Sequence, residues 1–296
     1  MTVMLAIDLG LNRYSHRIGM REALIWSCVW VTLALLFNLG IYLTLGREPA
    51  LEFLAGYLIE KSLSVDNLFV FIMIFAAFGI GERFQGRILK WGIIGALVMR
   101  AIFIFAGIEL LANFRWLFWI FGVLLIFTAA KMAFGGEGTV RPERNLAVRL
   151  VKRVLPITRR VHGDWFLTRR RGMLIGSPLL VALVMVEASD VIFALDSIPA
   201  IFAITLDPFI VFTSNVFAIL GLRALYFLLA GVLDLFAYLK YGISFILAFV
   251  GVKMLLAMLG IHVPIALSLA VIALTLATAI ATSLFLGKRS GTKRIG

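Results

Sequence analysis

Five carboxylates stand inside stretches that are otherwise apolar: Glu60, Asp66, Glu187, Asp190 and Asp196. Each costs about 2.5–3.5 kcal/mol at the centre of a membrane helix, so partners must offset them. Ser64, Asn67, Ser197 and Asn215 offer neutral oxygens beside them. Carboxylate, hydroxyl and amide oxygens suit hard cations such as Mn²⁺, Mg²⁺ or Ca²⁺. Zinc or copper would want imidazole or thiolate. His16, His162 and His262 lie outside the acidic stretches, and Cys28, the single cysteine, lies in a different one. The ten methionines are scattered and read as packing. The plainer alternative is a buried ion-pair network that fixes helix register, with Arg100, Arg223 and Lys61 neutralising the acids. Ionisable groups inside a membrane are functional hypotheses by default. No nucleophile–base pair and no phosphate loop is present, so no enzyme is expected. Gly135-Gly-Glu-Gly138 follows an apolar stretch and reads as a helix stop.

Spacing constrains the helices that carry these groups. Glu187 and Asp190 are three apart and share a face. Glu60 and Asp66 are six apart, as are Asp190 and Asp196, which puts them about 9 Å apart along an axis and on different sides. One ion reaches both only where the helix is interrupted. Pro199 predicts such an interruption, because it frees the carbonyl of Leu195 next to Asp196. Freed carbonyls beside carboxylates suit a cation.

The two acidic segments resemble each other. Glu60-Lys-Ser-Leu-Ser-Val-Asp66-Asn67 parallels Asp190-Val-Ile-Phe-Ala-Leu-Asp196-Ser197. Downstream, Arg100-Ala-Ile-Phe parallels Arg223-Ala-Leu-Tyr, and Lys131-Met132 parallels Lys253-Met254. Three landmarks in one order predict a duplication with copies at 50–135 and 173–259. Each copy holds three spans, an odd number, so the second is inverted in the bilayer. Inverted repeats are a transporter architecture with a site near mid-membrane. Lys131 and Lys253 would then sit near opposite faces, within reach of the surface by snorkelling.

Composition agrees. Of 296 residues, 62% are hydrophobic and 15% charged, which excludes a water-soluble enzyme and a disordered chain. Eight spans of about 20 residues are predicted at 23–45, 50–79, 88–112, 116–135, 173–205, 209–232, 237–259 and 263–287. The net charge of +12 would suggest nucleic acid in a soluble protein. Here the bases fall between spans. With residues 136–172 inside, 21 Lys and Arg lie on the cytoplasmic side and two, Arg47 and Arg115, outside. That bias sets the orientation and removes any need for a nucleic-acid partner. The fold expected is all-α and polytopic: a six-helix core with peripheral helices at 23–46 and 263–287. Residues 1–11 are apolar but too short to span, lack a signal-peptide pattern, and read as the end of a helix.

The segments GYLIEKSLSVDNLFVF (56–71), HGDWFLTRRRG (162–172) and EASDVIFALDSIPAIFAITLDPFIVFTSNVFAILGLRALYF (187–227) resemble the TerC/Alx family of integral membrane proteins, within the lysine-exporter-like superfamily. The resemblance covers nearly the whole chain and departs at the N-terminus, where similar proteins have a full first helix. It implies a manganese exporter of the bacterial inner membrane. Other members are linked to tellurite resistance, to metal loading of exported enzymes or to membrane-protein assembly. The family's motif residues map onto Glu60, Asp66, Asn67, Glu187, Asp190, Asp196 and Ser197. Arg100, Arg223, Lys131 and Lys253 would then compensate charge or gate. No resident cofactor is expected, the transported ion being Mn²⁺, with Ca²⁺ or Mg²⁺ as alternatives. Expected partners are the lipid bilayer, the cation, and secretion machinery or exported metalloenzymes. Two other functions stay open. One is an assembly or metal-loading partner acting by contact through loop 136–172. The other is an oxyanion transporter that uses the buried bases.

Overall fold

The computed structural model describes residues 19–135, 146–158, 165–170, 173–230 and 239–291. The predicted helix end at 1–11 lies outside these, as do parts of the basic loop and residues 231–238. Ten helices and one hairpin are described: α1 Met20–Leu45, α2 Arg47–Ala77, α3 Glu82–Asn113, α4 Leu117–Phe134, α5 Leu146–Val154, β1 Leu167–Arg170, β2 Met173–Gly176, α6 Pro178–Phe202, α7 Pro208–Ile219, α8 Leu222–Ala230, α9 Leu239–Met258 and α10 Ile265–Gly291.

The chain is an all-α polytopic membrane protein. Among the described residues, α1, α3, α4, α6, α9 and α10 are each long and apolar enough to cross a bilayer, and α7 with α8 adds a seventh if the bent pair is one span. The remaining expected span, 50–79, falls on α2, which is not among these candidates. Its 31 residues reach about 46 Å, more than the hydrocarbon core needs. Glu48, Glu52, Glu60, Lys61 and Asp66 set it apart from the plainly apolar helices.

Two expectations need correction. Pro199 does not interrupt its helix: α6 runs unbroken from Pro178 to Phe202. The lost donor is tolerated because the proline lies near the C-terminal end, where Ile198, Ala200 and Ile201 are fully packed. The interruption lies instead between α7 and α8, which meet at a 41° bend. Gly221 makes it, with φ at +74°, a conformation that suits a residue without Cβ. Nor is 173 the start of a helix. Met173–Gly176 pairs antiparallel with Leu167–Arg170, and α6 begins only after the cap position Ser177.

The two predicted copies pack on each other through specific helix pairs. The first helix of each copy packs against the middle helix of the other, α2 on α7 and α6 on α3. The first helices touch, α2 on α6, and the third helices make the most extensive contact, α4 on α9. Exchanging the copies maps this set of pairings onto itself. The α4–α9 crossing is close because both sides offer glycine. A Cβ on Gly251 would sit 2.8 Å from the Gly122 carbonyl oxygen, so the two backbones meet directly. Helices α1 and α10 lie outside this core. Helix α1 packs on α2 and α8, α10 on α9 and α2, and most of their remaining surface is exposed apolar side chain. In a bilayer that surface faces lipid at little cost.

Candidate functional site

The charged centre lies where α2, α3, α6 and α7 converge. Arg100, on α3, is 1% exposed and is among the largest side chains fully buried in the chain. Its guanidinium pairs with the Glu60 carboxylate from α2. Toward α6 it makes a forked contact with Asp190, Nε donating to Oδ2 at 3.3 Å and Nη2 to Oδ1 at 3.1 Å. From α7, Asn215 accepts from Nη1 at 3.4 Å. A bidentate guanidinium–carboxylate contact is directional, so one arginine fixes two acids from opposite copies. Burial makes the arrangement costly to break: removing one partner of such a group leaves an uncompensated charge.

Around this centre lie buried oxygens without a hydrogen-bond partner among the described residues. They are Glu60 Oε2, Ser64 Oγ and Ser197 Oγ, together with the amide nitrogen of Asn215. Ser64 is one turn from Glu60. Asn67 and Ser197 are each two turns from the acid that precedes them, Glu60 and Asp190, and so on the same helix face. Both are buried, at 4% and 1% exposure. The amide and hydroxyl that follow the second acid of each motif therefore share the face of the first acid.

The second acids turn away, as six-residue spacing requires. Asp196 accepts from Thr128 Oγ1 of α4 at 2.9 Å and has Lys131 as its nearby cation. Asp66 has Lys240, at the start of α9, as its own. Each is half-buried and each looks toward the third helix of the other copy. Among the described residues, no three His, Cys, Asp or Glu side chains gather as a metal cluster. The seven expected ligands are thus not brought to one point. Glu60 and Asp190 meet at Arg100, Asn67 and Ser197 lie further along the same faces, and Asp66 and Asp196 stand apart.

Glu187 precedes Asp190 by one turn and is half-buried, with its carboxylate against Gly95 of α3. A side chain at position 95 would displace it. Among the described residues, Asp190 acts on it electrostatically, and with the same sign.

The basic residues divide as well. Arg223 is half-buried and lines a narrow apolar cleft between α3 and α6, with Gly92, Ala96 and Val186, that reaches Asp190. Lys131 is exposed. Lys253 does not snorkel: it is 8% exposed, and the acid nearby is Glu52 of α2. Lys61 reaches the bend between α7 and α8. Its Nζ donates to the carbonyls of Ala218 at 3.0 Å and Leu220 at 3.2 Å, the orphan acceptors at the end of α7. Sequence reasoning passed over Thr128 and Glu52. A helical wheel of α4 puts Thr128 on the same side as Lys131, three residues on, and that was the available signal.

An all-helical membrane protein with oppositely charged side chains buried between crossing helices is a recognisable class, in which such groups mark a pathway or a relay. Residues 45–291 match the Integral membrane protein TerC family, and the chain belongs to it. A membrane protein of Myxococcus xanthus is 50% identical over 290 residues, covering 98% of this chain and 91% of its own. The proteins of Salmonella typhi and Escherichia coli (strain K12) named "Putative membrane-bound redox modulator Alx" are 51% and 50% identical, each over 280 residues, 91% of this chain and 87% of theirs. No solved structure matches the chain.

Proposed function

We propose that this protein moves divalent cations, with Mn²⁺ as the leading candidate, outward across a bacterial inner membrane through the Glu60–Asp190 centre. One observation carries the reading: two acids, one from each copy, close on a single buried guanidinium. A cationic head group bound by two carboxylates and an amide oxygen occupies the place a hard cation would take. Arg100 holds the acids in the empty protein. As the ion arrives, the guanidinium withdraws, and the unpartnered Ser64 and Ser197 oxygens lie on the faces the ion would pass. Rocking of one copy against the other would open the centre to each side in turn. The basic loop 136–172 and the C-terminus face the cytoplasm under the positive-inside bias.

The alternatives fare less well on the same observations. An oxyanion would need the guanidinium, yet Glu60, Asp190 and Asn215 occupy it. The relatives' printed name speaks of redox modulation. With one cysteine, Cys28, in these 296 residues, an internal thiol–disulfide couple is unavailable. A redox effect is more simply a consequence of the metal moved.

The test is Mn²⁺ efflux from proteoliposomes holding wild type, Glu60→Gln or Asp190→Asn. Both variants should lose at least about tenfold in rate, the factor that 1.4 kcal/mol represents, while remaining folded. Efflux unchanged in both would overturn the proposal.

A further inference from the structure

The segment between the fourth span and α6 has a surface that the transport reading does not use. In α5, Val148 is buried in the apolar cluster beneath it, and Ile157 and Phe166 pack against the same cluster. On the other side, Arg149 and Arg153 stand one turn apart and exposed, beside Leu150, which is 60% exposed. The hairpin is more unusual. Trp165 is 70% exposed, Leu167 44%, Met173 62% and Leu174 54%. Arg169 pairs across the ladder with Leu174 and is exposed too.

The excess of arginine needs no new explanation, since orientation alone calls for it. Orientation does not account for the large apolar side chains turned outward among them. A patch of this kind on one small hairpin marks an interaction surface. Its place in the fold says what covers it. Gly176 ends β2, is tied to Pro156 by its N–H at 2.9 Å, and is followed at once by the cap of α6, a membrane-spanning helix. The hairpin therefore starts at the bilayer boundary. Basic and apolar side chains mixed at that depth, with an exposed tryptophan, are the signature of an element lying in the headgroup layer.

We propose that α5 and the β1–β2 hairpin lie on the protein's own bilayer. Leu174, Leu167 and Trp165 insert below the headgroups, and Arg149 and Arg153 contact anionic lipid phosphates. The surface would anchor the loop that joins the two copies.

The single native cysteine makes the test direct. In a Cys28→Ser background, Leu174→Cys carries a spin label in the full chain, placed in nanodiscs of phosphatidylglycerol or of phosphatidylcholine. Oxygen and nickel-chelate accessibility report depth. The label should be lipid-immersed in the anionic discs and aqueous in the zwitterionic ones. Each of Arg149→Gln and Arg153→Gln should lower the immersed-to-aqueous ratio by about fivefold, with thermal stability unchanged. A label aqueous in both lipids overturns the proposal. So does a label equally shielded in both, which would place a protein surface over the hairpin. Neither result touches the Mn²⁺ efflux assay.

Discussion

The middle helices of the two predicted copies carry the same landmark and meet different fates. Helix α3 runs unbroken through Arg100, whose guanidinium is fully buried and binds two acids. The equivalent element breaks at Leu220–Gly221, two residues before Arg223, which is half-buried at the side of a cleft. The difference teaches that similar motifs fix where charges lie along the chain, while long-range packing, the break at Gly221 included, separates the arginine that reaches the centre from the one that does not. Position 98, two before Arg100, is valine and helical, whereas position 221 is glycine with a positive φ.

Three experiments press on this contrast. The largest effect is expected from Arg100→Met, which leaves Glu60 and Asp190 buried without a counter-charge. A loss of about 3–5 kcal/mol should appear in thermal or denaturant unfolding of the purified protein. Arg223→Met should lose clearly less, and an equal loss would erase the distinction between the copies. Next comes Gly221→Ala. Its positive φ and the Trp30 ring against it make a Cβ strained twice over, by about 2–4 kcal/mol together. The counterpart Val98→Ala, at an exposed site inside a helix, should be nearly neutral. Last is Lys61→Met. Removing two charge-assisted bonds at the end of α7 should cost about 1.5–3 kcal/mol, read as faster hydrogen exchange in 222–230 with α3 unaffected.

Much of this was legible in the chain. Apolar runs set the spans, because a bilayer demands a minimum length, and the paired acids marked the core helices. Six-residue spacing predicted that Asp190 and Asp196 would part, and they do: one faces Arg100, the other Thr128. The position of the break was not legible. Proline is a stronger local breaker than glycine, so Pro199 attracted the expectation, yet tertiary packing carried α6 past it while Gly221 turned against Trp30. Nor could spacing tell which arginine would take both acids, since Arg100 and Arg223 stand in equivalent sequence contexts and only long-range packing separates them. Lys253 was misread for a related reason. A lysine near a span end snorkels by default, and the acid that keeps it inside, Glu52, is about two hundred residues away in sequence.

The glycine contact between α4 and α9 has one further consequence. Side chains that interdigitate can re-seat a turn further on, but two main chains pressed together at Gly122 and Gly251 leave nothing to re-seat. In the rocking motion proposed above, this crossing would be the axle. The proposed swinging of one half relative to the other would pivot there, so bulk added at either glycine would jam the turning while Glu60, Asp190 and Arg100 stayed in place.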